Sequence, residues 1–177
     1  MSNRLPDRVD PWQLCARGQV LEGRVPLGAL RRLVPLLASS EGEAAFTLAF
    51  SKDAERRPVV QVDVTAGLDL VCQRCLGKLR LDVREMFSLG LVEGLEQAER
   101  LPEELEPQLV DETGLDPREV VEDALILAVP VTPRHAPGEC TTPGASSSAD
   151  GPAEEQKREN PFAVLSTLKK GDRSKDS

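Results

Sequence analysis

The stretch "LDLVCQRCLGKLRLDV", residues 68–83, lies where two alternating runs meet. Before it, Val60, Val62, Val64, Ala66, Leu68, Leu70 and Cys72 occupy every second position, with Gln61, Asp63, Thr65 and Asp69 between them. After it, Leu79, Leu81, Val83, Phe87, Leu89 and Leu91 repeat the pattern, and Arg80, Asp82, Arg84 and Ser88 face the other way. A period of two marks a strand with one face in a core and one in water. Two such runs around a polar turn predict a long antiparallel hairpin over residues 58–91, with "CQRCLGK" as its tip. The first run exceeds the usual strand of ~5–6 residues, so Gly67 predicts a bend or bulge.

Upstream, "CARGQVLEGRV" (15–25) and "EAAFTLAFSKDAERRPVVQVDV" (43–64) read as further strands. Between them, Leu30, Leu33, Val34 and Leu37 predict a helix over 26–34, with Pro26 in its first turn and Pro35 ending it. Downstream, Asp116 and Pro117 form a start signal, and Val121, Ala124, Leu125 and Ala128 form a helical apolar stripe that Pro130 stops. The fold class is therefore α+β: a mostly antiparallel sheet, strongly bent or a partly open barrel, with one or two packed helices. Residues 1–13 read as a flexible start and 14–140 as a single domain. Residues 141–159, rich in Ser, Pro and Gly, read as a disordered linker. Residues 160–177 open with Asn160 and Pro161, and Phe162, Val164, Leu165 and Leu168 then form a short amphipathic helix. A helix that short needs a surface, either its own domain or a groove on a partner. The partner groove is the reading taken for those four residues.

The chain has 177 residues and a formal charge of −8. Its four Phe, one Trp and no Tyr offer little for base stacking. An acidic chain without a basic stripe argues against broad phosphate contact, because nucleic-acid affinity rests on Lys and Arg. Small basic clusters do occur at Arg31 and Arg32 and at Lys52, Arg56 and Arg57. Residues 93–123 carry twelve Asp and Glu against two Arg, a net −10. That stretch reads as a solvated acidic loop or as a docking surface for a basic partner. The opening residues lack an apolar core of the signal-peptide kind, and no apolar run is long enough to span a bilayer. The expected location is the cytoplasm, with no membrane partner, where cysteines are thiols or metal ligands.

Cys72 and Cys75 have ligand spacing at a hairpin tip, the shape of a zinc knuckle. His135, the sole histidine, and Cys140 complete a C-x2-C…H-x4-C set. Three readings stay open for the cysteine pair: one structural zinc, a redox pair, or buried thiols continuing a strand face. Cys15 has no partner spacing and reads as structural. With one histidine, no Walker loop and no nucleophile elbow, no catalytic constellation is visible, and no enzyme is expected.

In order, "LVCQRCLGKLRLDV" (70–83), "LPEELEPQLVDETGLDPREVVEDALILAVPVTPRH" (101–135) and "NPFAVLSTLKK" (160–170) resemble the large ribosomal RNA subunit accumulation protein family (YceD). The resemblance spans roughly residues 15–168. It implies a bacterial ribosome biogenesis role in synthesis, processing or stability of 23S rRNA of the large subunit. Cys72, Cys75, His135 and Cys140 fall on recurrent positions of that family. An acidic, aromatic-poor chain linked to rRNA predicts an indirect role, through a basic ribosomal protein or assembly factor. The alternative is a direct rRNA-binding or rRNA-processing protein.

Overall fold

A computed structural model describes residues 6–140. Its centre is the predicted hairpin: β3 (Pro58–Val71) pairs antiparallel with β4 (Lys78–Val92), Val62 opposite Phe87 and Leu70 opposite Leu79. β2 (Glu43–Lys52) adds to the free side of β3, and β1 (Val20–Pro26) to β2, both antiparallel. The fifth strand, β5 (Glu106–Leu109), lies parallel to the end of β4 at Leu89–Val92. The order is β1-β2-β3-β4-β5, and the sheet stays open. This is the α+β fold expected, with a mostly antiparallel sheet that does not close.

The alternation decides the core. Phe46, Leu48 and Phe50 of β2 and Val60 to Leu70 at even positions of β3 are buried on one face. Leu27, Leu30 and Leu33 cover that face together with α3 (Pro117–Ala128), through Val120, Val121, Ala124 and Leu125. The start signal of α3 works as its residues predict: Asp116 accepts the Arg118 N–H at 2.8 Å, and Pro117 occupies the first turn.

Four expectations need correction. The helix expected over 26–34 is two 3₁₀ turns, Leu27–Ala29 and Val34–Leu36. Its buried leucines recur every third residue, the 3₁₀ period, and Pro35 lacks the N–H an α-helix would use. Gly67 makes no bulge, since pairing runs unbroken through Ala66–Val83, Gly67–Asp82 and Leu68–Leu81. It leaves room for a side chain instead: a Cβ there would stand 2.0 Å from the Arg80 guanidinium. The strand read from residue 15 begins only at Val20, because Asp10 caps a helix, α1 (Pro11–Arg17), and accepts the Gln13 N–H at 3.1 Å. Ahead of α1, Val9 pairs with Leu115. Finally, the acidic stretch is not all loop. It holds α2 (Leu95–Ala98) and β5, the crossover that parallel pairing requires.

The linker at 141–159 and the segment at 160–177, including Phe162, Val164, Leu165 and Leu168, lie outside the described residues.

Candidate metal centre

Cys72 ends the buried face of β3, and the chain reverses over residues 72–77. The Leu76 N–H donates to the Cys72 carbonyl and the Cys72 N–H to the Gly77 carbonyl, both at 2.9 Å. Leu76 takes a left-handed φ of 59°, which closes the turn tightly enough to aim both thiols to one side. Gly77 closes the turn beside the Cys75 sulfur, where a Cβ would make an ordinary contact at 3.4 Å.

The second half arrives from beyond α3. Gln73 N–H donates to the Pro133 carbonyl at 2.8 Å, fixing residues 133–140 beside the tip. His135 Nδ1 then stands 3.5 Å from Cys75 Sγ and 3.6 Å from Cys140 Sγ, and Cys72 Sγ lies 3.5 Å from Cys140 Sγ. All four donor atoms fall within 4.8 Å of one another. The two halves, some 60 residues apart in sequence, therefore meet.

The donor set fits a tetrahedral metal. Zn–S of about 2.3 Å and Zn–N of about 2.0 Å place two sulfurs about 3.8 Å apart and a sulfur and nitrogen about 3.6 Å apart. The observed separations sit close to those edges. The other imidazole nitrogen is also accounted for: Nε2–H donates to the Lys78 carbonyl at 3.0 Å, which fixes the tautomer with Nδ1 free to ligate. Protonation agrees. Burial pushes the Cys72 thiol up, but the backbone N–H groups of Cys75, His135 and Arg74 outweigh it and leave it at about 5. The Arg74 guanidinium draws the Cys140 thiol down, toward the thiolate that binds metals. His135 is pushed up, chiefly by Cys140 and then Cys72.

The sequence reading missed the supports. Arg74 and the Lys78 carbonyl both lie inside or beside the cysteine motif, and position next to a ligand was the only signal for either. Cys15, by contrast, is simply buried, its Sγ 3.7 Å from the Val59 carbonyl. Of the basic clusters, Arg32 pairs with Glu122 and Asp123, and Arg57 with Asp53 and Glu55.

Comparison with known proteins assigns the ancestry. The family model for "Large ribosomal RNA subunit accumulation protein YceD" matches residues 60–169. The curated protein of that name from Haemophilus influenzae is 35% identical over 169 residues, covering 94% of this chain and 97% of the relative. The chain belongs to the YceD family. The YceD match takes in all four donor residues, β4 and β3 from Val60 onward. No solved structure matches the chain. Among the described residues of this YceD chain, no helix is long and apolar enough to cross a membrane.

Proposed function

We propose that this chain is a non-enzymatic ribosome biogenesis factor of the bacterial cytoplasm. It supports synthesis, processing or stability of 23S rRNA, and it acts through a basic ribosomal protein or assembly factor. The observation that carries the reading is the full-length likeness to a protein named for large ribosomal RNA subunit accumulation. The electrostatics support the indirect route. Glu93, Glu96, Glu99, Glu103, Glu104, Glu106, Asp111, Glu112, Glu119 and Asp123 are all exposed, whereas Arg32 and Arg57 are held by carboxylates. Such a surface repels phosphate and attracts a cationic protein.

In this reading Cys72, Cys75, His135 and Cys140 hold one structural zinc. Four protein donors close the coordination sphere, so the ion would fasten the hairpin tip to residues 133–140 and leave no position for a substrate. Phe162, Val164, Leu165 and Leu168 supply a second, apolar contact with the partner.

The test is affinity purification of the intact protein, and of one lacking residues 160–177, from nuclease-treated extract. A basic large-subunit protein or assembly factor should accompany the intact chain and be lost with the deletion. Recovery of rRNA fragments alone would count against the reading.

A further inference from the structure

Among the described residues, the edge of β4 carries a row of hydrogen-bonding groups that no other backbone meets. Two contacts fix which residues aim that way. The Lys78 carbonyl accepts from His135 and the Val92 carbonyl from the Val110 N–H, both on the side away from β3. Pairing with β3 is unbroken from Lys78 to Gly90, so the same parity holds throughout. Between Lys78 and the start of β5 at Leu89, the outward N–H and C=O groups belong to Arg80, Asp82, Arg84, Met86 and Ser88. β5 covers β4 only at Leu89–Val92, and among the described residues no strand pairs with 79–88 on that side. Unpaired ladder groups on a long edge are a template for another strand.

The opening has two ends. His135 stands beside Lys78 at one, and β5 starts opposite Leu89 at the other. About ten residues of extended chain, ~30 Å, fit between them. A second copy pairing edge to edge would press its own His135 into the facing strand, so the space suits one segment. Leu81, Val83 and Phe87 are only partly buried beside the core on one face of this edge, and they would gain cover from apolar side chains at alternate positions of that segment. At the β5 end, Glu103, Glu104 and Glu106 are exposed.

We propose that the β4 edge receives an extended segment of a partner protein as a sixth strand. The segment alternates apolar residues over Leu81, Val83 and Phe87 and carries Arg or Lys where it passes Glu103–Glu106. Main-chain bonds give the grip, and the carboxylates give the preference for a cationic end. The basic character of the partner rests on the proposed function.

The test uses the full-length protein and a short peptide of alternating valine and threonine with an arginine run at one end. Amide hydrogen exchange should slow at Arg80, Asp82, Arg84 and Met86 when the peptide is added. Asp82→Pro removes one outward N–H and no bond to β3, so it should weaken binding about tenfold or more while secondary structure is kept. No protection of those amides at ~1 mM peptide overturns the proposal. So does equal binding of a glutamate-ended peptide, or of an RNA oligonucleotide at the same amides. Protection already present before peptide is added would show the edge filled by the chain itself or, if concentration-dependent, by a second copy, and overturns it too. The exchange measurement decides the matter even where the proline variant does not fold. Peptide protection together with undisturbed rRNA accumulation in cells carrying Asp82→Pro would leave the docking edge standing and separate it from the proposed function, whose own failure is read in the affinity purification.

Discussion

Glu122 shows how much one side chain can hold. It is buried in α3, and its carboxylate accepts the Arg32 N–H at 2.6 Å, the Leu33 N–H at 3.3 Å and Arg32 Nε at 3.0 Å. Those bonds satisfy backbone donors that the 3₁₀ segment cannot use internally. Glu122→Ala would strand two of them and should cost about 2–4 kcal/mol, measured as a lower denaturation midpoint in urea. Glu122→Gln, which keeps one acceptor, should cost less, and equal losses would show that the acceptor does not matter. Cys75 makes the complementary case. Purified protein should contain about one zinc per chain by elemental analysis, because the four donors form a closed structural set. Cys75→Ser should lose the metal and lower the melting temperature, and a metal-free wild-type protein with the same melting temperature would remove the zinc reading.

At the level of elements, the hairpin is held near its tip by charge as well as by pairing. Asp69 of β3 is buried and bonded across to Lys78 (2.9 Å) and Arg80 (3.2 Å) of β4. Its backbone carbonyl also takes the Ala38 N–H, which ties the hairpin to the segment before β2. Lys78 first and Arg80 second hold the Asp69 carboxyl below the ordinary carboxylate range. A lowered folded-state value means stability that is fully present above the unfolded value of ~3.9. That stability is lost as pH falls through the lower, folded-state value. The melting temperature of Asp69→Asn should therefore lie below wild type at neutral pH, and the two should converge in strong acid. A gap that stays constant across that range would contradict the assignment. The same hairpin also shows why a glycine was misread: Gly67 looks like a bend in sequence, yet it is a flat floor beneath Arg80.

For the whole molecule, charge is what the proposed choice of partner rests on. With −8 overall and −10 over residues 93–123, the protein should bind 23S rRNA fragments weakly at physiological salt in a filter assay. Any residual affinity should fall little with added salt, because few phosphates are neutralised. Tight, specific binding with a steep salt slope would instead favour the direct rRNA-binding alternative.

The sequence by itself determined the hairpin, its register face and the helix start at Asp116. Period-two alternation and capping are local rules, legible over a dozen residues. It also named the four ligand candidates, because cysteine spacing and a lone histidine leave few choices. What it could not reveal was contact between distant segments. The meeting of Cys72 and Cys75 with His135 and Cys140 depends on Gln73 holding Pro133. The 3₁₀ segment depends on a carboxylate about 90 residues away. β5 is four residues long with three of the four exposed, so it carries no period of its own and exists because the end of β4 offers it bonds. Tertiary structure decided these, since each exists only once the chain has closed on itself.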